Sequence, residues 1–320
     1  MTAAPGTRGL ATGCGPRYPL PCSEDRHHPI YPEPIRKSAG IAVLSTCLVA
    51  AAGCGAITDS SPEARDPSFV TGGSPDGNVH PHVGTLLFVQ NGEGYYSCTG
   101  TLLSPTVMLT AGHCVESQGK PNDVTYVRFR EDALEGIGEY RTTAAWLRAE
   151  WIEARSVIAH PQFDDFAAYP ATYDVGIVIL SKAVELPLYG TLPDVGLLEQ
   201  LLEGTDERSR MFTAVGYGLQ GAIQPFYGDD FVRNVTTTKL LEVNSTDNGG
   251  GHSAKFSNSP GKGSGTGGTC NGDPGGPIFH GSSTVIGAIT SFGYTPCIGV
   301  DFNFRIDTET AQSFIRQYID

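Results

Sequence analysis

An all-β protein built from many short strands is the class this sequence predicts. Three observations predict it. Glycine is abundant, at 41 of 320 residues, well above the usual ~7%. Charged residues make up only 17%, against ~25% ordinarily, which argues against coiled coils and helical repeat arrays. Short β-rich runs bounded by Gly, Pro, Asn or Asp recur along the chain. The apolar share of 39% is enough to bury a core and argues against wholesale disorder. The net charge of −13 and the lack of any Lys/Arg-rich run argue against a nucleic-acid backbone as partner.

Residues 1–35, rich in Pro, Gly, Cys and His, read as a disordered leader or a mis-assigned start. Arg36-Lys37 then precede the apolar run Ala39–Ala52, which ends at Gly53-Cys54. A basic start, a short apolar stretch and small residues at its end describe a secretory signal, here residues 36–54. The run is short for a membrane span. Ala51-Ala52-Gly53-Cys54 also resembles a bacterial lipoprotein box, in which Cys54 would carry lipid, although Ala51 stands where Leu is usual. Residues 55–69 read as a linker or propeptide. The charge balance breaks at the same place: residues 1–58 carry a net +2, leaving −15 for the remainder.

A signal implies export, either secretion or lipid anchoring on the cell envelope, and export permits disulfides. Cys14, Cys22, Cys47 and Cys54 lie in the leader or signal. Cys98, Cys114, Cys270 and Cys297 lie in the body, an even count that suits two bridges. The body cysteines lack close C-x-x-C pairing, so zinc is disfavoured, and neither a metal nor a cofactor is expected.

Eleven runs in the body read as strands: His82–Gln90, Cys98–Leu103, Thr106–Thr110, Val124–Arg130, Ser156–Ala159, Val175–Leu180, Met211–Tyr217, Lys239–Val243, Pro277–Phe279, Val285–Phe292 and Phe302–Ile306. So many short strands suggest sandwiches or barrels. A helix closes the chain, with Asp307 or Thr308 as its cap and Ala311, Phe314, Ile315 and Tyr318 on one face. Ala144–Arg155 reads as a helical turn. Asn244–Thr269, with eight glycines among Ser, Asn and Thr, reads as a flexible loop.

Three segments carry candidate chemistry. Leu109-Thr110-Ala111-Gly112-His113-Cys114 sets a histidine among small residues. Tyr173-Asp174-Val175-Gly176-Ile177-Val178-Ile179-Leu180 leads from an acid into a buried strand. Thr269-Cys270-Asn271-Gly272-Asp273-Pro274-Gly275-Gly276-Pro277-Ile278 is a glycine-rich loop. Each alone has an ordinary reading as a packed histidine or a tight turn. In this order, they resemble the chymotrypsin/trypsin-like serine proteases, in particular secreted bacterial members. The likeness runs from about Val70 to Asp320 and defines a peptidase-like domain over 70–320.

What that resemblance implies can be stated residue by residue. The fold is two six-stranded antiparallel β-barrels with a cleft between them. His113 matches the general base and Asp174 the acid that orients it. Ile158–Phe163 and Gly216-Tyr217-Gly218 match further landmarks. Ser291-Phe292-Gly293 matches the strand that pairs with substrate backbone. Cys98 with Cys114, and Cys270 with Cys297, match family disulfides. Val70 matches the terminus released by activation, and Asp273 the acid that binds it. Phe69, not Arg or Lys, precedes Val70, so trypsin-like self-activation is not expected. Gly268 stands where a trypsin-like member carries Asp, which with Gly293 suggests an uncharged pocket for an apolar or aromatic side chain; Gly268 also reads simply as part of its glycine-rich loop.

The departure from the pattern lies at Pro274, where the family carries its serine nucleophile. Acyl transfer needs a hydroxyl that the histidine can deprotonate. Proline has none, and it also lacks the backbone N–H that would join Gly272 in holding an oxyanion. Ser264, Ser282 and Ser283 are nearby but off the triad spacing. Three readings follow: a peptide- or protein-binding protease homologue without catalysis, an active endopeptidase if the proline is a sequence error or an engineered change, or an exported structural β protein. A monomer is expected.

Overall fold

The computed structural model describes residues 72–90, 92–167, 169, 171–218, 231–243, 251–261, 263, 265–269, 273–293, 297 and 299–319. The leader, signal and linker expected over 1–69 lie outside them, as do Val70, Cys270 and Gly272.

The elements follow in chain order. They are β1 (Ser74–Pro75), β2 (Val83–Gln90), β3 (Glu93–Leu102), β4 (Val107–Thr110), the small pair β5 (Glu116–Ser117) and β6 (Lys120–Pro121), and β7 (Val124–Arg128). Next come α1 (Thr143–Glu150), β8 (Ile152–Ala159), β9 (Gly176–Leu180), α2 (Leu197–Glu203) and β10 (Met211–Gly216). The chain ends with β11 (Asn234–Val243), β12 (Ser253–Asn258), β13 (Pro277–His280), β14 (Ile286–Gly293), β15 (Gly299–Arg305) and α3 (Glu309–Ile319).

Two antiparallel barrels result. The first closes in the order β2-β3-β4-β9-β8-β7. The second runs β11-β10-β13-β14-β15-β12 and closes because β12 also pairs with β11; β1 adds to the outer edge of β11. Closure removes the free strand edges that would otherwise invite aggregation. Val83, Leu86, Leu102, Met108, Leu109, Ile177 and Val178 fill the first barrel and are wholly buried. Phe212, Leu240, Phe256, Ile278 and Ala288 fill the second. Each large side chain so buried contributes ~1.5–3 kcal/mol.

All eleven expected runs fall on strands, with boundaries shifted by a few residues. Two expectations need correction, and one helix is added. The segment 244–269 is not all loop, because Ser253–Asn258 forms β12, paired with both β11 and β15. Its Ser, Lys and Asn residues carry little strand propensity; pairing on both edges overrides that. The helix expected over 144–155 ends early. Thr142 Oγ1 caps it by accepting from Ala145 N at 3.2 Å, and from Ile152 the chain is already in β8. Helix α2 was not anticipated. Its Leu198 N donates to Asp307 Oδ2 at 2.8 Å, a partner 109 residues away. That bond also decides the cap of α3: Thr308 Oγ1 accepts from Ala311 N at 3.2 Å, while Asp307 serves α2 and Arg305. Ala311, Phe314 and Ile315 form the buried face of α3, as its spacing predicts.

Candidate active site

Strand β4 ends at Thr110, and one 3-10 turn, Gly112–Cys114, presents His113. The turn is tied back to β3 by the disulfide Cys98–Cys114, the bridge the resemblance implies. Cys297 is disulfide-bonded too; its expected partner Cys270 lies outside the described residues. The ring of His113 sits close to both sulfurs of the Cys98–Cys114 bridge. A disulfide offers no thiolate, so this group makes no metal site.

Asp174, immediately before β9, is fully buried. Its Oδ1 accepts from the backbone N of His113 at 3.0 Å, and His113 Nδ1 lies 3.0 and 2.9 Å from its two oxygens. Ser291 Oγ, on β14 of the other barrel, donates to Asp174 Oδ2 at 2.5 Å. These contacts require Nδ1–H on the imidazole and leave the Nε2 lone pair as the basic site. Burial pulls the His113 pKa down, but the charge and hydrogen bond of Asp174, with a smaller contribution from Asp165, outweigh it and raise the pKa above its usual value. The pair can therefore accept and hold a proton.

The glycine-rich loop meets these residues from the second barrel. The Pro274 carbonyl accepts from Thr99 N at 2.9 Å, Gly275 N donates to Thr290 O at 2.8 Å, and Gly276 N donates to Asp273 O at 2.8 Å. Cys114 Sγ lies 3.5 Å from the Pro274 oxygen, a contact without a proton because the sulfur is in a disulfide. Asp273 is buried, and its Oδ1 accepts from Gly218 N at 2.9 Å. Val70, expected to meet Asp273, and the expected oxyanion donor Gly272 both lie outside the described residues.

An aromatic rim beside His113 escaped the sequence reading. Phe166 lies 5.8 Å from the His113 ring, 5.9 Å from Phe163 and 6.0 Å from Phe292, which stacks on Phe302 at 5.0 Å. Tyr169 reaches Phe292 at 5.9 Å. Three aromatic residues within 163–169 were the available signal. Asp165 and Phe166 both hold positive φ, 54° and 64°, and the Asp165 carboxylate takes the backbone N–H of Gln118. Such strain persists only where the surroundings over-determine it.

The residues assigned to a substrate pocket come from two segments. Ser291, Phe292 and Gly293 end β14. Gly268 packs on Asn258, whose Oδ1 would stand 2.3 Å from a Cβ at that position. The sequence reading weighed position 268 and overlooked Asp301, which β15 places directly opposite Gly293.

The chain belongs to the trypsin family: the model described as Trypsin matches residues 70–315. Among curated proteins it is similar to chymotrypsin-like elastase family member 1, at 28% identity with the Homo sapiens protein over 44% of this chain and 50% of that one. The Macaca fascicularis protein is 26% identical over 44% of this chain and 49% of its own length. A trypsin of Saccharopolyspora erythraea is 29% identical over 35% of this chain and 43% of its own. The chain thus spans about half the length of the curated relatives it matches. Among solved structures, that of HL collagenase superposes with a TM-score of 0.55 at 18% identity, covering 78% of this chain and 95% of that one. The structure of GrC gives 0.55 at 15% identity, over 77% and 97%. At such identities these two speak for the fold alone.

Proposed function

We propose that this chain is an exported, catalytically silent member of the trypsin family that holds a peptide or protein segment in the cleft between its barrels. One observation carries the reading: the hydrogen-bond set of His113, Asp174 and Ser291 is complete, yet the loop beside it presents proline. His113 can take a proton, but residue 274 has no hydroxyl to give one. The same proline has no N–H for an oxyanion, a loss that by itself costs ~10²–10³ in rate. Losing the nucleophile costs on the order of 10⁶ in a related triad. Binding survives both losses, because the barrels, the aromatic rim and β14 do not depend on them.

Supporting the export reading, the Cys98–Cys114 disulfide suits an oxidising compartment. The basic-then-apolar segment 36–54 would direct it there, Cys54 would carry any lipid, and cleavage before Val70 would free the domain as a monomer.

The test is direct. Purified protein is incubated with a fluorophosphonate probe and with casein, and its binding to peptide aldehydes is measured. No labelling and measurable binding are expected. Covalent labelling of any residue between 260 and 285 would end the silent reading, and absence of all binding would leave only a structural β protein. The intact His113–Asp174 pair favours one other reading, an active serine endopeptidase, should the natural residue at 274 be serine. Independent sequencing of that codon separates the two.

A further inference from the structure

The bridge that ties the His113 turn to β3 joins two residues whose backbones are held without it. Cys98 pairs with Leu86 of β2, and its carbonyl accepts from Thr85 Oγ1 at 3.2 Å. Cys114 N donates to Ala111 O at 3.2 Å, and the Cys114 carbonyl accepts from Asn122 Nδ2 at 2.8 Å. Both cysteines are buried. Opening the S–S bond therefore frees two thiols without freeing the chain that carries them, and the sulfurs stay neighbours.

A third donor stands beside them. A ring nitrogen of His113 and the two sulfurs lie within 4.8 Å of one another, the one such group of three among the described residues. A tetrahedral zinc ion, with Zn–S of ~2.3 Å and Zn–N of ~2.0 Å, holds its ligand atoms ~3.5–3.8 Å apart. Sulfurs released from their mutual bond move out to that spacing, and the ring closes in by about 1 Å.

The imidazole is already prepared as a ligand. Asp174 holds Nδ1–H against its two oxygens at 3.0 and 2.9 Å, which leaves the lone pair on Nε2. A carboxylate behind a ligating histidine fixes the tautomer and makes the ligand more basic. Nothing among the described residues bonds Nε2. Residue 274, where the resemblance sets a hydroxyl against that nitrogen, is proline. The His113 side chain is 26% exposed, so a cation has a route in from the cleft.

We propose that Cys98, Cys114 and His113 form a redox-gated site for a thiophilic divalent cation, zinc above all. Oxidised, the cysteines are bridged and offer no ligand. A dithiol reductant opens the bridge by exchange: its two sulfurs join to each other, and its two hydrogens pass to Cys98 and Cys114. Zinc then displaces both thiol protons and is held by Cys98 Sγ, Cys114 Sγ and His113 Nε2, with one position open to the cleft. Two thiolates neutralise the ion, so no net charge is buried. Thiolate and imidazole suit zinc, whereas calcium and magnesium take oxygen ligands. The β3-to-turn cross-link is thus kept in both redox states, by sulfur in one and by metal in the other. This inference stands apart from the peptide-binding reading.

Cobalt(II) is the probe, because tetrahedral thiolate coordination gives it strong visible bands. The chain processed before Val70 is reduced with a phosphine, which is oxidised to its oxide as water supplies the oxygen and the two thiol hydrogens. It is then titrated under argon. One cobalt per chain should bind with tetrahedral bands and be displaced by zinc, and the unreduced chain should bind none. Losing even an outer partner of a metal ligand costs ~10-fold or more, so His113→Ala and Cys98→Ser should each weaken binding by at least that factor. The double substitution Cys270→Ser with Cys297→Ser removes the other body cysteines and should leave the bands unchanged. Near-ultraviolet circular dichroism follows the fold, and zinc should preserve or restore the native signal after reduction. If a cysteine variant does not fold, His113→Ala, which keeps both sulfurs, decides alone. Equal binding by the unreduced chain, bands indifferent to His113→Ala, or bands lost in a folded double variant overturns the proposal. So does a reduced chain that takes up no metal, or one whose native signal zinc does not restore.

Discussion

The backbone N–H of Thr99 donates to the carbonyl of Pro274 at 2.9 Å, joining β3 of the first barrel to the glycine-rich loop of the second. That bond uses the oxygen of residue 274 and not its nitrogen. The bonds from Gly275 and Gly276 likewise do not involve the residue 274 side chain. The loop is therefore held by contacts that a serine would keep. Pro274→Ser should leave the melting temperature nearly unchanged and add both a hydroxyl and an N–H. We expect fluorophosphonate labelling at residue 274 of the variant processed before Val70, and none in the parent. Peptidase turnover should rise by several orders of magnitude, since a missing nucleophile costs on the order of 10⁶ in a related triad. A folded, processed variant that stays unlabelled would place a further defect elsewhere in the cleft.

Asp174 grips His113 through both its backbone N and its Nδ1. Burial works against the charged imidazole, and the Asp174 charge and hydrogen bond overcome it, so the folded pKa is raised. The linkage sign follows. This stabilisation is complete below the unfolded pKa of ~6.5 and is lost as pH rises through the folded value. An NMR titration of His113 should show a midpoint above ~6.5. Asp174→Asn removes the charge, leaves burial opposed only by the smaller contribution of Asp165, and should bring the midpoint below that value. A wild-type midpoint at or under the ordinary value would contradict the ion-pair geometry.

Much of this arrangement was legible because local pattern and tertiary role coincide. Gly176–Leu180 is an apolar run and becomes a buried central strand of the first barrel. His113 and Asp174 were readable from short motifs at the ends of β4 and β9, and these strands pair directly. What escaped depends on register between distant segments. Strand β12 has the composition of a loop and is a strand because β11 and β15 flank it. Asp301 stands immediately before the strand-like run Phe302–Ile306, and nothing in that segment singles it out. Its significance comes from standing opposite Gly293 and bonding Asn258, 43 residues away. No single-segment pattern encodes that.

His82 gives the fold an acid limit. It is 1% exposed, neither ring nitrogen has a partner among the described residues, and it packs on Phe279 at 5.4 Å. Burial, then the nearby charges of His80 and Arg233, lower its pKa to about 4, with Asp76 opposing. The unfolded chain therefore binds a proton that the folded chain refuses between about 6.5 and 4. The His82 contribution to stability should fall as pH drops through that window, by up to ~3 kcal/mol for a shift of this size, and stay constant above it. Denaturant melts at stepped pH should show this slope, and His82→Leu should flatten it. An equal slope in the variant would assign the acid sensitivity to another group.

Gly275 and Gly281 both hold positive φ, 80° and 57°, yet their surroundings differ. A Cβ at Gly275 would stand 2.0 Å from Thr110 Oγ1 and 2.4 Å from Thr99 O, whereas one at Gly281 would meet nothing within 4 Å. The obstacles at Gly275 cannot swing aside, because Thr110 Oγ1 donates to Thr99 O at 2.8 Å and Thr99 N holds Pro274. Gly281→Ala should thus cost only the left-handed penalty of ~1–2 kcal/mol. Gly275→Ala should add a steric displacement of the loop that carries residue 274, for a total of several kcal/mol, ~4 or more. Paired melts of the two variants isolate that steric share. The loss should fall on residue 274 as well as on stability: in a Pro274→Ser background, Gly275→Ala should suppress fluorophosphonate labelling, and Gly281→Ala should not. Equal melting temperatures for the two alanine variants would mean that the loop can yield, and the fixed position of residue 274 would have to be given up.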